Sequence, residues 1–428
     1  MPTRSKRSWP VASDEAQLSA PAQAATEVDV AIVGGGLVGA SLAAALAATP
    51  ARVLLLESVP FGAAGQPSFD ERTTALGNAS RRIFEALGVW RAMAAEAAAI
   101  NSIHVSDAGR FGFARLEARQ QGIEAFGYVV PNRTLGAALW EKLRASPGLL
   151  VRAPAHLARL DISAAGVSLE VESAGGREAF SARLVVAADG AHSQVRTAAG
   201  IEAGVEDYQQ VAVVANLRSD EPHGGRAFER FTPAGPIALL PLAGGGRAAI
   251  WAVSPAEAQR LQGLDERAYL EALQAAFGWR AGRFTELGRR AAYELRLTRA
   301  AAPVALRTVL IGNAAQALHP VAGQGFNLGL RDAAMLAEVI ALEPSDPGAP
   351  APLARFAAWR SADRSGVVRF TDSLVRLFGD TRPGVGFLRN LGLLAFDHSP
   401  AAKSALSRVS AGFGGPVPRL ARGLPLRP

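Results

Sequence analysis

The sequence predicts an α/β fold in which a Rossmann-type nucleotide-binding domain is interrupted by an antiparallel sheet and closed by C-terminal helices. Three observations carry this prediction. Residues 28–39, VDVAIVGGGLVG, are a short β-branched run opening into Gly34-x-Gly36-x-x-Gly39, the pattern of a buried parallel strand turning into a helix. Residues 205–300 change to short apolar runs, VAVVANL, AFERFT, IALLPL, AAIWAV and AAYELRL, separated by Gly/Pro turns, which read as an antiparallel sheet. From about 350 helical spacing takes over, until a Gly/Pro/Arg-rich end begins at 411.

Along the chain, residues 1–26 are polar and rich in Ala, Pro and Ser, a disordered tail without the apolar stretch of a signal peptide. Residues 28–33 form the first strand, 37–48 a helix of small and aliphatic residues, and 52–56 the second strand, together one βαβ unit. Helices follow at 78–98, with Ile83, Leu87 and Trp90 on the apolar side, and at 131–145, with Leu135, Leu139 and Leu143 on one stripe. Short strands at 103–105 and 111–116 form a small β insertion near 103–128, and 151–187 is a β-meander ending in the buried run 184–188. Residues 27–204 are thus the first part of the nucleotide-binding domain, 205–300 an inserted sheet with one helix at 256–277, and 301–345 the second part. Residues 346–410 are C-terminal helices and 411–428 a flexible tail.

Composition excludes several classes. With 428 residues, 49% hydrophobic and 19% charged, the chain has ample material for a core. It has no cysteine, which removes disulfides, thiolate catalysis and Cys-based zinc, and its six histidines show no ligand spacing, so no metal is expected. The net charge of +7 rests almost wholly on arginine, with lysine only at Lys6, Lys142 and Lys403. These arginines are scattered among acids, which argues against a nucleic-acid partner and leaves contact with anionic lipid open. Arginine in place of lysine, with abundant Ala and Gly, matches a GC-rich bacterial genome. Residues 28–48 are interrupted by Asp29 and four glycines, so no transmembrane helix is expected.

The first motif needs its glycines for distinct reasons. Gly34 permits the tight turn, Gly36 lets the backbone approach a pyrophosphate, and Gly39 lets the helix pack on the strand, while the helix N-terminus adds partial positive charge. Eighteen positions after Gly39 stands Glu57, where an acid holds a ribose hydroxyl. NAD and FAD share this fingerprint, and a glycine turn that binds nothing is the plain alternative. Two further segments favour FAD: VVAADG at 185–190, a buried strand ending in Asp189-Gly190, and VLIGNAAQALHPVAGQGFNLGLRD at 309–332, a strand leading through a glycine-rich loop into a helix.

These segments resemble the single-component FAD-dependent aromatic hydroxylases, the para-hydroxybenzoate hydroxylase-like flavin monooxygenases, over about residues 27–400. Five blocks in order narrow the resemblance to the ubiquinone-biosynthesis hydroxylases of the 2-polyprenyl-6-methoxyphenol hydroxylase type: FDERTTALGNASRRIFEALGVW (69–90), HVSDAGRFGF (104–113), GRAFERFTPAGPIALLP (225–241), GNAAQALHPVAGQGFNLGLRD (312–332) and TDSLVRLF (371–378). The fold class implied is a Rossmann-type FAD-binding domain with an inserted antiparallel-sheet substrate domain and a helical C-terminal segment. The resemblance implies cofactor contacts from Arg72, Arg133, Asp189 and Gly190. It also implies contacts from Asn313, which replaces the family's usual Asp, and from Pro320, Gly323, Gly325 and Asn327 along the flavin. His319 heads that loop, as a ligand or as a turn residue.

The chemistry implied is reduction of FAD by NADH or NADPH, addition of dioxygen to give a C(4a)-hydroperoxide, and attack of a phenol ring on its distal oxygen, in surroundings that exclude water. A base or hydrogen-bond acceptor near the phenol is expected, with Tyr208, His223 and Tyr293 as candidates. The substrate implied is a polyprenyl phenol. One five-carbon unit contributes roughly 3–4 kcal/mol on burial at about 0.8 kcal/mol per methylene, so the enzyme is expected to work in the bacterial cytoplasm, peripheral on the inner membrane or beside other quinone-biosynthesis proteins. The C-terminal helices either dock on lipid or partners or simply pack on the FAD domain. Alternatives are hydroxylation at another ring position or of a soluble aromatic acid, a flavin reductase, and a non-catalytic FAD-fold scaffold of a quinone-synthesis assembly.

Overall fold

The computed structural model describes residues 25–62, 72–380, 382 and 384–426. Most of the expected N-terminal tail, residues Phe69, Asp70 and Glu71 of the first resemblance block, and the last two residues lie outside these. Strand Thr26–Val33 begins two residues before the expected run.

The first sheet follows from which strands are buried on both faces. Val30, Ala31 and Ile32 of the first strand and Val53, Leu54 and Leu55 of Val53–Leu56 are solvent-free, as a parallel sheet between helical layers requires. In space, strands Leu149–Arg152, Val53–Leu56, Thr26–Val33, Gly176–Ala187 and Thr308–Leu310 lie side by side and parallel. In chain order that is 3-2-1-4-5, and the order reverses between Thr26–Val33 and Gly176–Ala187, the crevice where dinucleotides bind in such sheets. Helix Leu37–Leu46 is buried from Gly39 onward because it consists of small residues pressed against the sheet and against helix Gln324–Leu342.

The second sheet is larger than the 205–300 segment from which it was expected. Its order is Gln316–Ala317, Phe284–Ala300, Ala203–Ser219, Arg247–Val253, Gly235–Pro241, Arg226–Thr232, Ser102–Asp107, Phe113–Glu117. The small insertion near 103–128 is therefore two strands of this sheet, joined through a parallel pairing of Ser102–Asp107 with Arg226–Thr232. Alternating side chains mark each segment as a strand but do not name its neighbour. Three strand segments, Thr73–Gly77, Gly127–Pro131 and Ala98–Ala99, form a third sheet joining the two.

Two expected helices are broken. The run at 78–98 stops after Asn78–Ala86 and resumes at Trp90–Met93, because Gly88 adopts φ +76°, a helix-ending conformation. The run at 256–277 is two helices, Pro255–Gly263 and Glu266–Phe277; Ser254 caps the first and Asp265 accepts from Ala268 N–H at the start of the second.

Helices Pro350–Gly379, Val385–Asp397 and Pro400–Ser410 close the molecule. A buried ion network ties the first to helix Gln324–Leu342: Arg360 bonds Asp332 and Asp363, each at 2.7 Å, and Arg331 bonds Asp363 at 2.8 Å. The segment after 411, expected as a flexible tail, is packed instead. Leu420, Ala421 and Leu426 enter the core beside Ile83 and Phe84, and Glu338 accepts the Arg419 N–H at 2.8 Å. Its Gly/Pro content suits turns, and turns pack when apolar residues between them find a groove.

Candidate functional site

The glycine turn leaves its strand at Gly34 with φ +103°, where a side chain would strike the Ala188 carbonyl on the adjacent strand end. A side chain at Gly39 would run into the Gly34 carbonyl, whereas at Gly36 it would meet open space. Gly34 and Gly39 are thus required by the protein's own packing, and Gly36 faces a volume that something else can fill. Helix Leu37–Leu46 starts there with no side-chain cap, so its first N–H groups remain available to an anion. Glu57 caps the turn from the second strand, its Oε2 accepting from Gly35 N–H at 2.8 Å and its Oε1 from Val59 N–H at 2.9 Å, with lone pairs left for a hydroxyl.

Across the crevice, Asp189 lies two residues beyond strand Gly176–Ala187. Its Oδ2 accepts from Val195 N–H at 3.2 Å, while its Oδ1 is buried without a partner. A buried orphan acceptor costs free energy unless a donor completes it, and ribityl or ribose hydroxyls are such donors. Gly190 beside it stands open. Asn313 is exposed in the turn Gly312–Ala314, at the end of the fifth strand. The open cradle, the uncapped helix and the orphaned acid converge at the carboxyl ends of the strands and fit FAD.

A cavity of about 360 Å³ lies between the 318–326 loop and the second sheet. Pro320, Gly323 and Gly325 line one wall, and Arg72 its rim, with the Arg72 guanidinium 4.7 Å above the Tyr293 ring. A side chain at Gly325 would meet nothing within 4 Å, as expected where backbone faces a flat ligand. His319 is a turn residue: its Nδ1 accepts Val321 N–H at 3.1 Å and its Nε2 faces Gln210 Oε1 at 3.3 Å. Burial lowers its pKa to about 4, so the ring is neutral. Asn327 is placed differently from its expected contact with the flavin. Its Oδ1 accepts from Gly77 N–H and Ser80 Oγ, and its Nδ2 donates to the carbonyls of Ala75 and Gly323. An Asn side chain has no further strong donors or acceptors to offer, so Asn327 holds the loop in place.

A second cavity, about 760 Å³ and almost wholly apolar, adjoins the first. Ile103, Val321 and Glu229 belong to both walls. Leu374, Leu393 and Phe396 bring the C-terminal helices onto its far side. Those helices are held in register by Asn390, whose Oδ1 accepts from Gly112 N–H at 2.6 Å and whose Nδ2 donates to Asp107 at 2.8 Å. Arg389 also bonds Asp107 at 2.6 Å.

Glu229 is the residue that reading the sequence missed. It lies in strand Arg226–Thr232, pointing inward with Ala227 and Phe231, and its carboxylate has no hydrogen-bond or ion-pair partner among the described residues. Among the described lining residues of the two cavities it is the one carboxyl group. Burial alone raises its pKa from 4.5 to about 7. The signal was an acid at an inward position between two aromatic residues of an alternating strand, but which face was inward required the sheet.

The expected base candidates are otherwise occupied. The Tyr208 hydroxyl faces Asp372 Oδ1 at 3.3 Å, and burial together with that carboxylate pushes its pKa above the ordinary tyrosine value; it keeps its proton. Both His223 nitrogens meet backbone, Nδ1 accepting Gly225 N–H and Nε2 lying 3.0 Å from the Leu242 carbonyl. Tyr293 supports Arg72 with its ring face. Arg133, expected to contact the cofactor, is half-exposed and bonds Glu96 at 2.7 Å.

Comparison with known proteins agrees with this geometry. A family model described as an FAD binding domain matches residues 27–371. A ubiquinone hydroxylase of Rhodospirillum rubrum is 37% identical over 405 residues, covering 93% of each chain. A 3-demethoxyubiquinol 3-hydroxylase of Escherichia coli is 33% identical, covering 90% of this chain and 98% of its own. Among solved structures, the p-nitrophenol 4-monooxygenase of Pseudomonas putida shares the fold with a TM-score of 0.76 at 19% identity, covering 91% of this chain and 99% of its own. The chain belongs to the FAD binding domain family, among its FAD-dependent monooxygenases, with the ubiquinone hydroxylases as relatives along nearly its whole length.

Proposed function

We propose that this enzyme hydroxylates the ring of a polyprenylated methoxyphenol, a ubiquinone precursor, with the ring in the smaller cavity and the tail in the larger. The observation that carries this reading is the shared wall of the two cavities: a chamber beside the 320–325 loop and an apolar one of about twice its volume have Ile103, Val321 and Glu229 in common. A soluble aromatic acid has no use for the second chamber. Bound FAD, reduced by NADH or NADPH, supplies the activated oxygen. One atom of dioxygen enters the ring and the other leaves as water, with NAD(P)H giving the two electrons.

The chain's own residues bind, orient and exclude water. Backbone at Gly36, with the uncapped helix behind it, holds the pyrophosphate, Glu57 and Asp189 accept hydroxyls, and Arg72 adds positive charge at the rim. Apolar walls from Ile103 to Phe396 keep water from the reacting atoms. Glu229, at the junction, accepts the phenol proton and so raises electron density on the ring. Among the described residues no helix is long and apolar enough to cross a membrane. The tail's partition free energy therefore supports action at the inner-membrane surface, or receipt of substrate from another quinone-biosynthesis protein.

The test is turnover of a series of methoxyphenols bearing zero to several isoprene units by FAD-loaded protein with NAD(P)H. Expected are oxygen uptake equal to hydroxylated product and kcat/KM rising with the first units. Equal turnover of tail-less and tailed phenols, or anaerobic turnover, would overturn the reading.

A further inference from the structure

The face of the antiparallel sheet turned away from the cavities carries a cluster of cations that FAD binding and hydroxylation leave unused. Arg226 and Arg230 lie on the strand that carries Glu229 but point the opposite way, into two adjoining hollows. Arg115 from strand Phe113–Glu117 and Arg280, just after helix Glu266–Phe277, complete a ring around His104. Arg280 Nη1 lies 3.0 Å from His104 Nε2. Burial, and then these four arginines, lower the His104 pKa to about 4, so the imidazole adds no charge and offers no relief.

None of the four guanidiniums has a carboxylate within salt-bridge distance among the described residues. Asp107 is near but already holds Arg389 and Asn390, which leaves Glu117 as the one uncommitted acid in the lining. The Arg230 Nε is buried with no partner. Four neighbouring cations repel, and a buried guanidinium N–H without an acceptor costs free energy. An anion with several oxygens removes both penalties, and guanidinium geometry suits phosphate.

The rim identifies which phosphate. Trp279, preceding Arg280, is 70% exposed, and Phe111 and Phe387 are 54% and 58% exposed, their rings 6.1 Å apart edge to face. Aromatic rings beside arginines are the composition of a membrane–water interface, and a dissolved phosphate would not need them. Helix Val385–Asp397 carries Phe387 to this rim and Leu393 to the apolar cavity. A bilayer laid against the rim would therefore meet the wall of the tail chamber.

We propose that Arg115, Arg226, Arg230 and Arg280 bind the phosphate of an anionic phospholipid and seat the tail chamber against the bilayer. This rests on the reading that the substrate is membrane-borne. The test is flotation of the FAD-loaded enzyme with vesicles of phosphatidylcholine alone or mixed with phosphatidylglycerol, using wild type, Arg226→Gln/Arg280→Gln and Phe387→Ser. Wild type should prefer the mixed vesicles. The double arginine variant should lose that preference, about thirtyfold for two cations near the surface, with FAD content and turnover of a tail-less phenol unchanged. Phe387→Ser should weaken binding to both vesicles alike. A double variant that keeps the wild-type preference would overturn the proposal. Calorimetric binding of inorganic phosphate by wild type but not by the variant, without vesicle preference, would overturn the lipid assignment in favour of a soluble phosphate. Failure to hydroxylate a tailed phenol in detergent micelles would refute the substrate reading while leaving the vesicle result to decide the arginine site.

Discussion

Replacing Glu229 with Gln separates its role in chemistry from its cost to the fold. The carboxyl sits among apolar walls with its pKa raised from 4.5 to about 7 by burial, which corresponds to about 3 kcal/mol against the charged form. In the unfolded chain the group ionises near its ordinary value. Between roughly pH 4.5 and 7 the native state therefore holds more protons than the unfolded one, and stability falls as pH rises. Glu229→Gln should thus leave apoprotein stability unchanged at pH 4 and raise it by up to about 3 kcal/mol at pH 8, less where cavity water solvates the carboxylate. In catalysis the sign reverses. Ionised Glu229 accepts the phenol proton, so wild-type kcat should rise through pH about 7. The variant should lose that limb and about a hundredfold to ten-thousandfold in kcat. Urea unfolding of the apoprotein and pH–rate profiles of the FAD-loaded enzyme measure the two halves. A variant with wild-type kcat and the same pH limb would show that Glu229 does not take the proton.

Gly36→Ala meets no protein atom within 4 Å; the chain should fold with ordinary stability but bind FAD at least tenfold more weakly, read from flavin absorbance after gel filtration. A side chain at Gly392, which lines the apolar chamber, also meets nothing within 4 Å. Gly392→Phe should raise KM for long-tailed phenols while leaving a tail-less phenol unaffected, as steady-state kinetics would show. Arg360→Met leaves the buried Asp332 without its ion-pair partner and leaves Asp363 to Arg331 alone, and should cost about 3–5 kcal/mol in denaturant unfolding. Tyr208→Phe removes only the contact with Asp372; kcat and its pH limb should be unchanged, since that hydroxyl holds its proton.

Much of this protein is legible in its sequence. The turn at Gly34, Gly36 and Gly39, the paired strands around it, Asp189 at a strand end and the glycine loop at 323–325 are signals contained in a few consecutive residues. Their physics is local: φ, Cβ clearance and alternation. The breaks at Gly88 and before Asp265 were equally local and could have been read from a helix-ending glycine and a capping acid.

The remaining assignments depend on partners far away in the chain. Tyr208 is decided by Asp372, Asn327 by Gly77 and Ser80, and His319 by Gln210. A side chain's hydrogen-bonding capacity is finite, so whichever partner folding supplies first determines what is left for a ligand. Glu229 is the inverse case, an unremarkable acid in a strand until residues 102–107, the 321–325 loop and the C-terminal helices close around it without offering a donor. The glycine cradle and the family are legible in short stretches of sequence, because those rest on short-range backbone geometry. The apolar chamber, the unpaired acid and the face of unbalanced arginines emerge only in the folded chain, because burial and charge balance are properties of segments brought together by the fold.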